Sequence, residues 1–537
     1  MIQKPGISKR EILGFLSVTV FSAAVWLAFL KSEFVGFLND PTFYLEPARA
    51  VARGWGIVTR ILYPAQVTAY PLDMVFPVRY VHHGPVVPFL IGMGYKAFGL
   101  SDWVPLAFSF GFTFLTGLAL YIHTRKLAGV GTALTGLFLF WNNAVVLDSN
   151  CTALTDPLFI LLITLALIWV WRSLDSPRQL QWLAAAGLAV GAASCTRLAG
   201  QIYWLGFGCA IFWFHRSWRA LAAFSAGLIL PLIPLGIYNH QAVGSYLYSP
   251  GFLLLTWSHS FPGFRSITTY MSLSTLQAFL AYPRDFALKA ITGPAYAVNR
   301  LLEISSNPYF MACVVFGLFA DYGRDPVLAR FKRLAWIIIL PVFAVNAVLS
   351  YGAIRYLGPL LPVFSIIAAV FIWKFVDEQR PFLPGWGWAG VIVAALFFVS
   401  PLALRIKDGL KNRPALQALH DSSVQVGSFV KANTRPDEVI YSDCHDLMWF
   451  ADRPVVILTA TVADAEKTFA HIKPDALVLN SQCIDNEDFD PIWRDAFYKK
   501  QPVLGFAPCR EIITPAIRSM LFRRPGQCPG PATRTSL

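Results

Sequence analysis

Charge is what this chain has least of. Only 14% of its 537 residues are Asp, Glu, Lys or Arg, against 56% apolar and 15% aromatic. A soluble domain carries about a quarter charged residues. One core cannot bury an apolar surplus of this size, so lipid is the solvent the composition calls for. A CxxC pair is missing, as is any Cys/His spacing that holds zinc, which argues against a zinc site in the tail. There is no internal repeat, and this counts against a transporter built from paired halves. The first apolar run, Ile12 to Leu30, lacks a small-residue cleavage site and is expected to stay as a span rather than act as a removable signal peptide. The net charge of +13 would suggest nucleic acid in a soluble protein. Here the Lys and Arg residues gather in short loops, where they fix orientation in a membrane, and no nucleic-acid partner is expected.

What is present is a succession of apolar runs. After the first span come candidates at roughly 103–122, 127–147, 156–172, 181–198, 201–214, 220–238, 306–320, 334–350, 358–376 and 386–404, about eleven in all. Lys4, Lys9 and Arg10 precede the first, which places the N-terminus in the cytoplasm. The run Pro85 to Gly99 is too short for a comfortable span and carries Lys96. Laid at the membrane surface, it puts Arg125, Lys126, Arg172, Arg178, Arg216, Arg219, Arg324, Arg330, Lys332, Arg333, Lys374 and Arg380 on the cytoplasmic side, as the positive-inside rule asks. Three long polar pieces then face outward: 31–102, 239–305 and everything after about 405. The tail alternates helix-like stretches with the apolar runs Glu438–Tyr441, Pro454–Leu458, Ala476–Leu479 and Pro502–Phe506, the pattern of a small α/β domain. The expected fold class is therefore an α-helical polytopic membrane protein of about eleven spans with juxtamembrane helices, plus a small C-terminal soluble α/β domain. The division falls into 1–404 and 405–537, with a disordered tail from Arg523. The expected location is the inner (plasma) membrane, with the C-terminal domain periplasmic.

Of eight cysteines, Cys151, Cys195, Cys209 and Cys313 lie in or beside apolar spans as packing residues. Cys444, Cys483, Cys509 and Cys528 lie in the tail, where an even number is compatible with disulfides. Three pairings are open. Cys444 with Cys483 is the first choice, because each follows an expected strand.

The stretch Asn39 to Ala50 places a carboxylate just past the first span, followed by a helix-like segment ending near Gly54. The pattern Asp40-x3-Tyr44-x3-Ala48-x5-Gly54 resembles the first loop of the GT-C superfamily of polyprenyl-phosphate-sugar-dependent glycosyltransferases. The branch it looks most like contains protein O-mannosyltransferases and the lipid A aminoarabinose transferase. Further stretches in the same order resemble that family: His83-Gly84-Pro85 running to Phe98-Gly99, Thr155-Asp156-Pro157, Gly187-x3-Gly191 with Thr196-Arg197, and Arg355-Tyr356-x2-Pro359. Two departures stand out. Pro41 occupies the position of the family's usual Glu, and His82-His83 stand near where the aminoarabinose branch has a Lys.

The resemblance implies an inverting transfer of a sugar from a polyprenyl-phosphate-linked donor to a hydroxyl of a lipid, glycan or protein on the non-cytoplasmic face. Such a reaction needs a carboxylate to take the acceptor's proton and fixed cations to receive the departing phosphate. Asp40 is the candidate base; as a bare residue at a membrane edge it is more often only a helix cap or a solvated loop residue. Asp156 could orient the acceptor or open its helix as an N-cap. Arg60, Arg79, His82, His83, Arg197 and Arg355 are candidates for the donor phosphate. Against that, Arg60 and Arg79 are ordinary solvated loop residues, Arg355 could snorkel to the headgroups, and Arg197 could pair with an acid in the bundle. Tyr44 and Tyr356 join the expected substrate site, although Tyr favours membrane interfaces in any case. The aromatic loop 239–305, with His240, His259 and Tyr270, could hold the acceptor. The lipid-linked sugar is the only cosubstrate expected, and a divalent metal is left open with no ligand set. A polytopic transporter and a non-catalytic binding or assembly protein remain the competing readings.

Overall fold

The computed structural model describes residues 8–38, 40–72, 74–81, 83–153, 155–248, 251–263, 265–304, 307–322, 325–349, 354–379, 387–444, 446–485 and 489–528; at 300–304, 354–355, 378–379, 387–396 and 448 it describes the backbone alone. The chain divides into two compact units. One comprises Met1–Phe34, Trp103–Leu235 and Ala290–Asn412; the other comprises Val35–Asp102, Gly236–Lys289 and Arg413–Leu537.

The first unit is helical. Among the described residues, six helices are long and apolar enough to cross a membrane: Lys9–Glu33, Trp103–Trp141, Asp156–Ser173, Trp218–Val243, Pro326–Leu349 and Gly358–Asp377. The 39-residue helix Trp103–Trp141 is two of the expected spans joined at a kink. Gly129 there has φ +85°, a conformation glycine adopts without the Cβ clash that deters other residues. Other expected spans form shorter helices, Gly200–His215 with 16 residues and Pro308–Phe319 with 12. The count of eleven is thus not reached by length and apolarity. The core is a continuous apolar cluster that includes Leu120, Leu137, Phe140, Trp141, Phe159 and Phe207. The Gly187-x3-Gly191 stretch lies on the helix Gln179–Thr196 and meets the helix Trp218–Val243 at close range. A Cβ at Gly187 would run into the carbonyl oxygen of Phe224, and one at Gly191 into that of Leu228. Small residues let the two backbones approach, as they do between helices in lipid.

The second unit carries the sheet. Its strands are β1 (Val58–Thr59), β2 (Ile61–Leu62), β3 (Val78–Arg79), β4 (Ile440–Ser442), β5 (Val455–Ile457), β6 (Ala476–Asn480), β7 (Ala507–Ile513) and β8 (Arg518–Arg523). β1 and β3 form an antiparallel pair, and the rest make one sheet in the order β2-β5-β4-β6-β8-β7. β2, β5, β4 and β6 run parallel, and β8 and β7 continue antiparallel. The three polar pieces read from the sequence thus contribute to one compact unit, and the first loop supplies a strand of the tail's own sheet. The run Pro85–Gly99 forms the helix Val86–Phe98, 13 residues long, within this unit.

Three expectations change here. The run Pro502–Phe506 makes a turn closed by a Val503–Phe506 bridge, with Leu504 and Gly505 at positive φ, rather than a strand. The tail does not lose its structure at Arg523. That residue ends β8, is buried, and donates to Glu438 at 2.7 Å and to the Asn433 carbonyl at 2.7 Å. The disulfide joins Cys509 to Cys528, and Cys444 and Cys483 are thiols. Residues 529–537 lie outside the described ones.

Candidate active site

In the second unit, Asp40 is the first residue of the helix Asp40–Ala52. Pro41 follows it in the first turn, where a missing N–H costs nothing. This explains how the position tolerates proline in place of an acid. Tyr44 sits one turn on from Asp40, on the same face of the helix. Its buried ring lies 5.1 Å from that of His83, and His83 in turn lies 6.2 Å from the ring of Tyr80. Tyr80 was not singled out from the sequence. Its hydroxyl is buried without a hydrogen-bond partner among the described residues. Burial pushes this phenol well above its ordinary pKa, so it stays a proton donor. The backbone N–H of Tyr80 donates to the Tyr238 hydroxyl at 3.0 Å, which fixes the loop. His82 lies outside the described residues.

Further along the same helix a charge cluster holds the loop to the tail. Glu46, only 1% exposed, accepts from Arg49 Nε at 3.0 Å and from Arg60 Nε at 2.6 Å. Arg60 also donates to Asp452 Oδ1 at 2.6 Å, and Arg53 donates to the same oxygen at 3.1 Å. The Arg49 guanidinium lies 4.4 Å over the ring of Trp449. Burial opposes ionisation of Asp452, but hydrogen bonds from Arg53 and Arg60 and the charge of Arg49 outweigh it and hold the carboxyl well below its usual range. Burial likewise opposes the charge on Arg60, yet Glu46 and Asp452 leave its pKa raised. Arg60, read from sequence as a phosphate ligand or a solvated residue, is engaged as an ion-pair clamp. Arg79 is exposed at the end of β3, donates to Gln241 Oε1 at 2.6 Å, and lies 5.8 Å over the Tyr238 ring.

In the first unit, three of the sequence motifs meet although as many as 200 positions separate them. Asp156 opens its helix but is not the cap; Thr155 is the N-cap residue, and its side chain caps nothing. Arg197, at the end of the helix Gln179–Thr196, forms a buried ion pair with Asp156 Oδ1. Its guanidinium lies 4.9 Å over the ring of Tyr356, whose carbonyl accepts from the Tyr203 hydroxyl at 2.7 Å. The second oxygen of Asp156 is buried without a hydrogen-bond partner among the described residues. Arg197 therefore follows the reading in which it pairs with an acid. Arg355 lies in the short helix Ile354–Leu357, and its side chain is outside the described ones. A further pair went unread: Arg405 Nη2 donates to both oxygens of Asp148 at 2.6 Å. The signal available was a lone acid next to an apolar run and a lone cation at the end of the last one, each costly in lipid without the other.

Among the described residues, no three His, Cys, Asp or Glu side chains come together as metal ligands. No step is assigned to a metal.

No protein-family model matches the sequence, and no curated protein matches it. Solved structures do. The aminoarabinose transferase ArnT from Cupriavidus metallidurans, bound to undecaprenyl phosphate, superposes with a TM-score of 0.59 at 13% identity, over 96% of this chain and 99% of that one. Its apo state matches equally, with a TM-score of 0.59 over 94% and 97%. The oligosaccharyltransferase AglB from Archaeoglobus fulgidus, in complex with an inhibitory peptide and a dolichol-phosphate, gives 0.54 at 13% identity over 88% of this chain and 70% of that one. With its apolar helices and this likeness along nearly its whole length, the chain is an integral membrane protein built on the fold of the GT-C glycosyltransferases.

Proposed function

We propose that the chain is an inverting glycosyltransferase that moves a sugar from a polyprenyl-phosphate-linked donor to a hydroxyl acceptor on the non-cytoplasmic side of the membrane. The observation that carries this reading is the fold likeness to an undecaprenyl-phosphate-bound transferase over 96% of the chain. In this reading residues 1–404 form the transmembrane catalytic domain with about eleven spans. The N-terminus is cytoplasmic, and residues 405–537 face the periplasm of an inner-membrane protein.

Chemically, the acceptor oxygen attacks the anomeric carbon while the bond from that carbon to the phosphate oxygen breaks. The lipid phosphate leaves with the bonding pair. Asp40 takes the acceptor's proton as the bond forms, and direct displacement inverts the anomeric centre. Tyr44, Tyr80 and His83 stand along the same helix face and loop, and could pack against a sugar while Tyr80 donates to it. Arg79, His82, His83 and Arg355 remain the candidates for the phosphate charge. Arg60 and Arg197, already held by carboxylates, act by positioning. Asp156 has one oxygen held by Arg197 and the other buried without a hydrogen-bond partner among the described residues.

Membranes containing the protein, given synthetic polyprenyl-phosphate sugars and a panel of lipid, glycan and peptide acceptors, test this. Asp40→Asn is expected to lower transfer by about 10²–10⁴-fold, the range for a lost general base, with membrane insertion unchanged by protease protection. Undiminished transfer by Asp40→Asn ends the base assignment. No transfer from any donor, together with solute accumulation in vesicles, replaces the reading with a transporter.

A further inference from the structure

The tail holds a second pair of cysteines that neither the disulfide nor the proposed chemistry uses. Cys444 follows β4, and Cys483 lies in the short helix Ser481–Ile484 that follows β6. β4 and β6 are parallel neighbours with Ser442 opposite Val478, so both cysteines emerge at the carboxyl ends of adjacent strands. The chain leaves β4 toward β5 on one side and reaches β6 on the other, so this edge is the point where the winding of the sheet reverses. Asp443 ties the two strand ends together. Its Oδ2 accepts from the Asn480 N–H at 2.8 Å, and its Oδ1 accepts from the Asn480 side-chain amide at 2.7 Å. The Cys444 N–H donates to Ser442 Oγ at 3.3 Å, which sets the loop that carries its thiol. Cys444 is the largest influence on the Cys483 thiol, raising its pKa. Cys444 is buried, and Cys483 is partly exposed. Carried on from that register, Cys444 falls level with Asn480, and Cys483 follows within the next turn of chain.

We propose that Cys444 and Cys483 are a redox pair that closes into a second disulfide across the ends of β4 and β6. The oxidant is an external disulfide, protein or low-molecular-weight, of the compartment that receives the tail. The Cys483 thiol, the more accessible, loses its proton, and its sulfur attacks one sulfur of that disulfide, releasing the other as a thiolate. The Cys444 thiolate then attacks the Cys483 sulfur, and the second external sulfur leaves. The two cysteines give up two protons and two electrons, and the oxidant ends as two thiols. The bond would enclose a longer loop than the 19-residue separation of Cys509 and Cys528 and so remove more freedom from the unfolded chain. The hydrogen bond to Cys444, then burial, raises the Cys483 thiol well above its ordinary pKa, so in the folded protein the reduced pair exchanges slowly.

The test uses the full chain isolated from oxidatively competent membranes, acid-quenched, denatured, alkylated and mapped without reductant. A peptide linked through Cys444 and Cys483 is expected beside one linked through Cys509 and Cys528. Of the eight cysteines, four should then carry alkyl groups. Six alkylated cysteines with only Cys509–Cys528 linked would overturn the proposal. So would linkage of Cys444 or Cys483 to Cys509 or Cys528, or a chain found fully reduced. A Cys509→Ser/Cys528→Ser variant, titrated with oxidised and reduced glutathione, isolates the pair. It should pass from six alkylated cysteines to four as the buffer becomes oxidising, and a constant six counts against the proposal. Neither readout depends on sugar transfer, so the two readings fail separately.

Discussion

A carboxylate and a guanidinium buried side by side are each tolerable only because of the other. Asp156 and Arg197 are 3% and 8% exposed. Arg197→Met removes the cation and leaves a buried acid, and breaking such a pair costs about 3–5 kcal/mol. The thermal stability of the detergent-solubilised protein is expected to fall accordingly. The double variant Asp156→Asn/Arg197→Met should recover most of it, because no charge is left uncompensated. Arg60 gives a different contrast. Arg60→Ala leaves Glu46 with Arg49 and Asp452 with Arg49 and Arg53, so a loss of about 1–3 kcal/mol is expected, the worth of charged hydrogen bonds. The KM for the donor should stay unchanged in the folded fraction; a raised KM with normal stability would make Arg60 a phosphate ligand after all. The residue types were legible from sequence, but their pairings were not. Asp156 and Arg197 each sat in a recognisable motif, 41 positions apart. The partner of Arg60, Asp452, is 392 positions away in a stretch with no periodic signal. Tyr80 was missed because a tyrosine in a polar loop carries no mark of burial.

Elements were readable where one period dominates. The apolar runs that became β4, β5 and β6 are short, continuous and buried on both faces, as parallel strands are. β7 and β8 escaped notice because Arg510, Glu511, Arg518 and Arg523 break up their apolar content, and antiparallel pairing tolerates that. β2, with two residues, is shorter than any window that could detect it. Among helices, the glycine pair at 187 and 191 is the sharpest test of packing. Gly187→Val places a side chain against the main-chain oxygen of Phe224, which cannot rotate aside. The helices Gln179–Thr196 and Trp218–Val243 must separate, at a cost of at least about 1–3 kcal/mol. A lowered aggregation temperature and faster proteolysis should report it, and wild-type behaviour would mean the helices are less closely packed.

At the scale of the molecule, acid and base act on the second unit in opposite senses. Burial opposes ionisation of Glu438, but hydrogen bonds and charge from Arg523 and Arg435 keep its pKa below the ordinary value, as happens at Asp452. The stability these two contribute is complete above the unfolded carboxylate range and is lost as pH falls through their depressed folded values. Asp443 runs the other way. Burial, only partly offset by Asn480, pushes it to about 7 from 3.8, so between those values the folded state keeps a proton that the unfolded state has lost. Its contribution therefore declines as pH rises from about 4 to 7. Melting temperatures of the full chain across this range should rise on leaving acid and then flatten or turn down toward neutrality. A curve that climbs steadily through pH 7 would mean that Asp443 is ionised in the folded protein.

The parallel pairing of β2 with β5 sets a timetable for making the protein. Ile61 and Leu62 leave the ribosome nearly four hundred residues ahead of Val455 and Val456, the partners that complete their hydrogen bonds. Through the synthesis of the whole helical bundle the first loop must wait with an unfilled strand edge. A chain cut short before residue 455 is therefore born with that edge bare, and becomes a substrate for chaperones and proteases rather than a smaller folded protein.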